Sequence, residues 1–423
     1  MTALQPPFEA SVSNTSSETA DKIANLVHEH FNSLPRKRKP AIRDTGVHEW
    51  IPLSSIVAER NGELRCLSLA TGMKCLPAAK LKETNGNGLH DWHAEVLAIR
   101  VFNHYLLSEA RRLSQTGGED NESFILRRSM ADPGMSQPFT VHDDVRLYMY
   151  SSEAPCGDAS MELTMSAQED PTPWVIPPAP ASSSPGTTPS ASLLHGRQYF
   201  SNLGIIRRKP SRPDAPPTLS KSCSDKLTLS QATSLLSSLT SLLVHPSNAY
   251  LTALIIPSAS YVPTGFQRCF FDRTEPLRNS TWEGGYHFHP LELLTTPIEF
   301  DFSKRQATAR SKGKIAPCNV SAVWGAHGLD EGLVGGVVQG RRAFEERGAS
   351  ALSRRRMWCF ALEVAELLGR DGEEIRETLG VERYGDVKEG ARLEERREVK
   401  KFVWEEALMG WVRNVGDEAF TLK

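Results

Sequence analysis

The chain has 423 residues, enough for two or three ordinary domains or one large elaborated one, and its 39% hydrophobic content can supply a sizeable core. Charged residues make up 24% and nearly cancel, to a net −2, which excludes a global basic field for nucleic acid and leaves that task to local clusters. Seven cysteines in this length exclude a dense disulfide framework and favour a reducing compartment, nucleus or cytoplasm.

Residues 1–18 are polar and are expected to form a disordered leader. The first of them, MTALQPPFEASVSNTSSE, lack the basic start and apolar run of a signal peptide. No apolar stretch reaches the ~18 residues of a membrane span, so no membrane partner is expected. In ADKIANLVHEHFNSL, Ile23, Leu26, Val27 and Phe31 fall at helical spacing and predict a helix that ends at the basic loop PRKRKP. LRCLSLATG reads as a strand running into a turn, and HAEVLAIRVFNHYLLSEARRL as a long helix with a buried face. Residues 114–140 look like a surface insertion. VRLYMYSS is a predicted strand, from which PCGDASMELTM turns into a helix. A Pro/Ser/Thr-rich stretch within 167–195 cannot bury much and is expected to be a second insertion. SQATSLLSSLTSLLV predicts a helix or helical pair; LTALIIPS and CNVSAVWGA predict strands; from about 341 the chain reads as mostly helical and highly charged. Strands alternating with helices imply an α/β sandwich with a partly parallel sheet, and no linker detaches the helical C-terminal part from it. Residues 19–423 are therefore expected to form a single domain.

The chemistry concentrates in LHDWHAEVLAIR, residues 89–100. Asp91, His93 and Glu95 stand at the mouth of a helix. Taken alone they describe a helix start, with Asp91 as the cap and Glu95 favoured by the helix dipole. A proline–cysteine pair after a later strand adds a second possibility. Zinc nucleobase deaminases place H-x-E before P-C-x-x-C. There the metal takes three protein ligands, leaves one position for water and lowers the water pKa, while a carboxylate that is not a ligand moves protons. Here APCGDAS supplies Cys156, but Ala159 stands where the second cysteine would be. The third ligand could come from Cys66, Cys75, Cys223, Cys269, Cys318, Cys359 or histidines such as His287 and His289. Cys223 is favoured, because SKSCSDKL precedes a helical run whose dipole would stabilise a thiolate; a buried structural thiol is the plainer alternative.

HAEVLAIR, PCGDAS and SCSDKL, in this order, resemble the adenosine deaminases acting on RNA and their tRNA-specific relatives. TGMKC, EWIPLSSIV, SRRRMWC and GWVRNVGDEAFTL extend the resemblance over roughly residues 20–423. The resemblance implies a cytidine-deaminase-like three-layer α/β/α core elaborated by C-terminal helices. It implies His93, Cys156 and Cys223 as zinc ligands, Glu95 as the proton shuttle, and hydrolysis of adenosine to inosine with loss of ammonia. It also implies a buried inositol hexakisphosphate held by Arg100, Lys226, Arg354, Tyr384, Lys388 and Trp411, with Asp91 and Lys209 forming a polar relay to the metal. LEERREVKK is expected to add a basic contact of unfixed register. Departures from the family pattern are His90 for an asparagine, Ile99 before a single Arg100, and Arg413–Asn414 after the tryptophan.

The tRNA-specific members act on the adenosine 3′ of the anticodon (position 37) of alanine tRNA, and that substrate is the expectation here. An anticodon loop offers an unpaired base, and PSRPDAPPTL is short, proline-rich and without a flipping glutamate. Expected RNA contacts are Met73, where relatives carry threonine, Lys74, Arg207 and Arg208. Further basic patches are Arg36, Lys37, Arg38 and Lys39, which read equally well as a nuclear-import signal, and Lys312 and Lys314. Rival readings are editing of other structured RNA, a free-nucleoside or cytosine deaminase, and a non-catalytic scaffold for RNA or inositol phosphate. No protein partner is evident in the sequence.

Overall fold

The computed structural model describes residues 14–117, 120–128, 136–167, 194–195, 199–209, 215–311 and 314–422. The first helix, α1 (Asn14–Ser33), starts inside the expected leader; residues 1–13 lie outside the described ones, as do most of the expected insertion at 167–195, residues 210–214 and Lys312. Strands β1 (Leu53–Arg60) and β2 (Glu63–Thr71) form a hairpin, followed by the short pair β3 (Met73–Cys75) and β4 (Asp91–His93), and then helix α2 (Ala94–Thr116). Next come β5 (Arg146–Ser151), α3 (Cys223–Thr233), β6 (Leu251–Pro257), β7 (Glu292–Thr296), β8 (Ser321–Gly325), β9 (Leu329–Val334) and β10 (Val337–Val338). Helices α4 (Arg354–Leu367) and α5 (Glu394–Glu406) belong to the C-terminal part.

The central sheet has the order β7-β6-β5-β1-β2-β8-β9-β10. It is parallel across β5, β6 and β7 and antiparallel elsewhere. Its residues alternate between two apolar cores, as the two-residue side-chain period of a strand requires. Leu53 and Val57, Tyr148 and Tyr150, and Ala253 and Ile255 face Ile23, Val27 and Phe31 of α1. Ile56 and Ala58, Leu147 and Met149, and Leu254 and Ile256 face Leu97, Val101 and Phe102 of α2. A sheet covered on both faces by helices is the expected three-layer α/β/α arrangement. Trp358, Ala361 and Val364 of α4 join the α2-side core, so the C-terminal helices build on the same body.

Two stretches differ from the sequence-based expectation. Within 114–140, Ile125–Arg127 and Phe139–Val141 are strands that pair with each other, and the latter also pairs with Val244–His245; Ile125 and Phe139 are buried in the main core. SQATSLLSSLTSLLV is neither one helix nor a pair of α-helices: α3 stops at Thr233, Ser234 takes a left-handed φ of 59°, and a single 3-10 turn, Thr240–Leu242, follows. Tertiary partners replace the helical hydrogen bonds. Asn103 receives the Ser237 amide at 2.6 Å and donates to the Leu235 carbonyl at 2.9 Å, while Arg396 donates to the carbonyls of Thr233 and Leu236.

Candidate active site

Beyond β2 the chain turns at Gly72. A Cβ there would lie 2.0 Å from the Trp92 carbonyl oxygen, so only glycine lets β4 come this close. β3 and β4 then pair with Met73 opposite His93 and Cys75 opposite Asp91. The Ala94 amide donates to the Gly72 carbonyl at 2.9 Å, fixing the entry into α2. His93 occupies the cap position with extended backbone, and Asp91 accepts the His93 amide at 3.1 Å rather than capping the helix itself. Glu95 falls in the first helical turn and is buried.

Cys156 follows β5 and Pro155. Gly157, at φ +109°, packs against α3; a Cβ on it would meet Ser222 Oγ at 2.2 Å. Ser222 caps α3 by accepting the Asp225 amide at 3.1 Å, which makes Cys223 the first helical residue. Its amide donates to Cys156 Sγ at 3.4 Å, and Ser224 donates its amide to the Cys156 carbonyl at 3.0 Å. The positive end of α3 thus acts on Cys156, not on Cys223 as its sequence position suggested. Hydrogen bonding from Cys223 draws Cys156 well below the ordinary thiol range against its burial, while burial and the neighbouring Cys156 push Cys223 well above it.

One ligand atom from each of His93, Cys156 and Cys223 lies within 4.8 Å of the others, and His93 Nδ1 is 3.8 Å from Cys156 Sγ. Donors on a tetrahedral zinc stand ~3.5–3.8 Å apart, so one imidazole and two thiols fit that ion. Glu95 Oε2 lies 3.2 Å from Cys223 Sγ, and its pKa is raised by burial and by Cys156. Behind the thiols, Lys209 Nζ donates to Cys223 Sγ at 3.2 Å and to Asp91 Oδ2 at 2.7 Å. Ser220 Oγ donates to the same carboxylate oxygen at 2.5 Å, and Lys226 joins it as well. Burial opposes the charge on both partners. Lys209 and Lys226 nonetheless hold Asp91 well below the usual carboxylate range, and Asp91 with the thiols holds Lys209 well above the usual amine range. The site opens into a cleft of about 1080 Å³ whose lining includes His93, Glu95 and Cys156, together with Met73 and Lys74.

A second cluster lies farther along. Arg100 donates to the Leu352 carbonyl at 2.7 Å, and burial together with Arg354 lowers its pKa. Arg354 and Lys388 both stand over the Tyr384 ring, at 5.6 and 5.5 Å. Burial, then Arg354, pulls Lys388 down to about 8; burial, then Arg396 and Lys388, pulls Lys400 well below the usual range. Lys226 is engaged with Asp91, and Trp411 carries Lys221 above its ring at 5.5 Å. Lys221 donates to Asn414 Oδ1 at 2.7 Å, and its pKa falls to about 7 through burial and Lys226. Sequence reasoning did not single out Ser220, Lys221, Arg396 or Lys400. Only LEERREVKK, which contains Arg396 and Lys400 one helical turn apart, gave a signal.

The expected RNA contacts divide. Arg207 is 0% exposed and donates to the carbonyls of Tyr199 and Asn202 at 3.1 and 2.6 Å, which removes it from any RNA surface and corrects that expectation. Arg208 is half-buried, and Lys74 is bonded to Asn319. Arg36, Lys37 and Lys314 are exposed; Arg38 pairs with Asp330 at 3.3 Å and Lys39 donates to the Asn32 carbonyl at 2.6 Å.

A mixed sheet between helices, with a split pair of thiols and a buried glutamate beside a helix-entry histidine, defines a deaminase core. Residues 68–415 match the adenosine-deaminase (editase) domain, and the chain belongs to that family of hydrolytic adenosine deaminases. It is 39% identical to a tRNA-specific adenosine deaminase 1 of Schizosaccharomyces pombe, over 68% of this chain and 71% of that protein. It is 33% identical to the Saccharomyces cerevisiae protein of that name over 56% and 58% of the two chains, and 24% identical to the human one over 73% and 80%.

Proposed function

We propose that this enzyme converts adenosine to inosine in tRNA, using zinc, at the adenosine 3′ of the anticodon of alanine tRNA. The observation that carries the reading is the meeting of His93, Cys156 and Cys223 beside Glu95, with His93, Glu95 and Cys156 lining a cleft large enough for an unpaired base. The names of the similar proteins supply the substrate class.

His93, Cys156 and Cys223 hold the metal in this reading. When bound, zinc supplies Lewis acidity that makes water a nucleophile near neutral pH. Glu95, kept basic enough by its burial, takes a proton from the water and delivers it to N1 of the purine ring, then carries the second proton, from the new C6 hydroxyl, to the departing amine. Water adds at C6, the C6–N6 bond breaks, and ammonia and inosine result. Asp91, Lys209 and Ser220 position Cys223 from behind. The cluster Arg100, Arg354, Lys388, Arg396 and Lys400 suits a polyanion. Burial, then the neighbouring cations, lowers the basicity of Arg100, Lys388 and Lys400, and such charges need a counter-ion of matching size. Inositol hexakisphosphate is the counter-ion we assign to it.

The test is incubation of the purified protein with transcribed alanine tRNA and reading of the anticodon-loop adenosine, since inosine pairs as guanosine. Conversion at that position supports the proposal. Absence of conversion alongside activity on long duplex RNA would move the substrate to structured RNA of another kind.

A further inference from the structure

The cleft has an aromatic wall that the deamination chemistry does not use. Trp50, Glu153 and Lys304 line the same cavity as Glu95 and Cys156. Trp50 ends a short strand, His48–Trp50, that pairs with Ile315–Pro317, and its amide plane is fixed by the Cys318 amide donating to its carbonyl at 2.9 Å. Its indole remains half-buried and faces the cavity. Lys304 is exposed, opens the helix Lys304–Ser311, and holds its ammonium 6.0 Å over the Trp50 ring. Glu153, between β5 and Cys156, accepts the Lys304 amide at 2.8 Å. A carboxylate three residues from a candidate metal ligand thus sets the position of the lysine in front of the ring. Indole and ammonium together match a nucleotide: a flat base for the ring and a phosphate for the cation. A flexible lysine stem can swing from the ring face to a phosphate without moving the backbone.

We propose that Trp50 and Lys304 form a subsite for the nucleotide next to the target adenosine, with its base stacked on Trp50 and its phosphate bound by Lys304. Glu153 is a positioning residue for Lys304. The proposal rests on the reading that the substrate is RNA. An adenosine brought into the cleft carries its neighbours along the walls, and the walls must accommodate them.

The test compares full-length wild type, Trp50→Ala and Trp50→Phe on alanine tRNA and on the same RNA made abasic at the nucleotide 5′ or 3′ of the target. On intact RNA, Trp50→Ala should raise KM about 5- to 150-fold, the range for loss of one base–aromatic stack, and Trp50→Phe should recover most of it. With the stacked neighbour made abasic, wild type and Trp50→Ala should agree within about twofold, and which side does this identifies the neighbour. Lys304→Ala should flatten the dependence of log affinity on log salt by about one. Metal content and melting temperature of each variant report whether it is folded. An equal Trp50→Ala penalty on intact and on both abasic RNAs overturns the subsite, as does a folded Trp50→Ala with unchanged KM. If wild type itself forms no inosine in intact tRNA, the proposed function fails and the subsite with it; if wild type is active and no coupling is seen, the subsite alone fails.

Discussion

Glu95 stands 3.2 Å from Cys223 Sγ without belonging to the set of three ligand atoms that converge, so its removal separates metal binding from proton transfer. Glu95→Gln should keep its zinc, measured by metal analysis, and lose about 10²- to 10⁴-fold in turnover. A variant that loses the metal would make Glu95 a ligand and undo its assigned role. At this scale the site was legible where the chemistry dictates residue type: imidazole, thiols and carboxylate each sit in a short motif. It was not legible where a side chain's role depends on what folds over it. Arg207 and Lys209 are two residues apart in one basic run, yet one is spent on backbone carbonyls and the other on Asp91 and a thiol. Nothing local distinguishes them; the family resemblance, not the basic run itself, pairs Lys209 with Asp91, while Arg207 reads as an RNA contact.

Elements position these groups through close backbone contacts. Gly157 lets the Cys156 loop lie on the first turn of α3, and Gly157→Ala would place a Cβ 2.2 Å from Ser222 Oγ in a backbone conformation that only glycine takes easily. The substitution should cost about 2–4 kcal/mol in a urea titration and lower metal occupancy, while Ser222→Gly on the same background should restore part of both. The large elements were readable from their periodicity: α2, β2, β5 and β6 carry alternating or helical apolar patterns that commit them to one core or the other. The exception is instructive. SQATSLLSSLTSLLV has helical spacing, but Asn103 and Arg396, distant in sequence, supply the hydrogen bonds that an interrupted helix lacks. A propensity argument counts only the bonds a segment makes to itself, so it misses those arriving from elsewhere.

For the whole molecule, the cationic cluster turns counter-ion binding into a question of stability. Lys388 has a folded pKa of about 8 against an ordinary lysine value of 10.5, lowered by burial and by Arg354. Between these values the unfolded chain binds more protons than the folded one, so stability rises with pH across that window. Protein refolded without a polyanion should therefore gain on the order of 1–3 kcal/mol in urea titrations between pH 8 and 10. Protein refolded with inositol hexakisphosphate should be more stable at pH 8 and show no such gain, because the anion keeps the lysine charged. An equal rise in both samples would dissociate the cluster from the ligand. The spacing of the three candidate metal ligands has a consequence of another kind. His93 and Cys156 are 63 residues apart and Cys156 and Cys223 are 67, so an ion held by all three would tie off two long stretches of polypeptide, as a cross-link would. Each closure withholds conformations from the denatured chain worth up to about 4 kcal/mol in the loop-entropy model. A chelator should accordingly depress the melting temperature by many degrees and not merely stop turnover, and the reagent at the heart of the reaction would then also be a fastener of the fold.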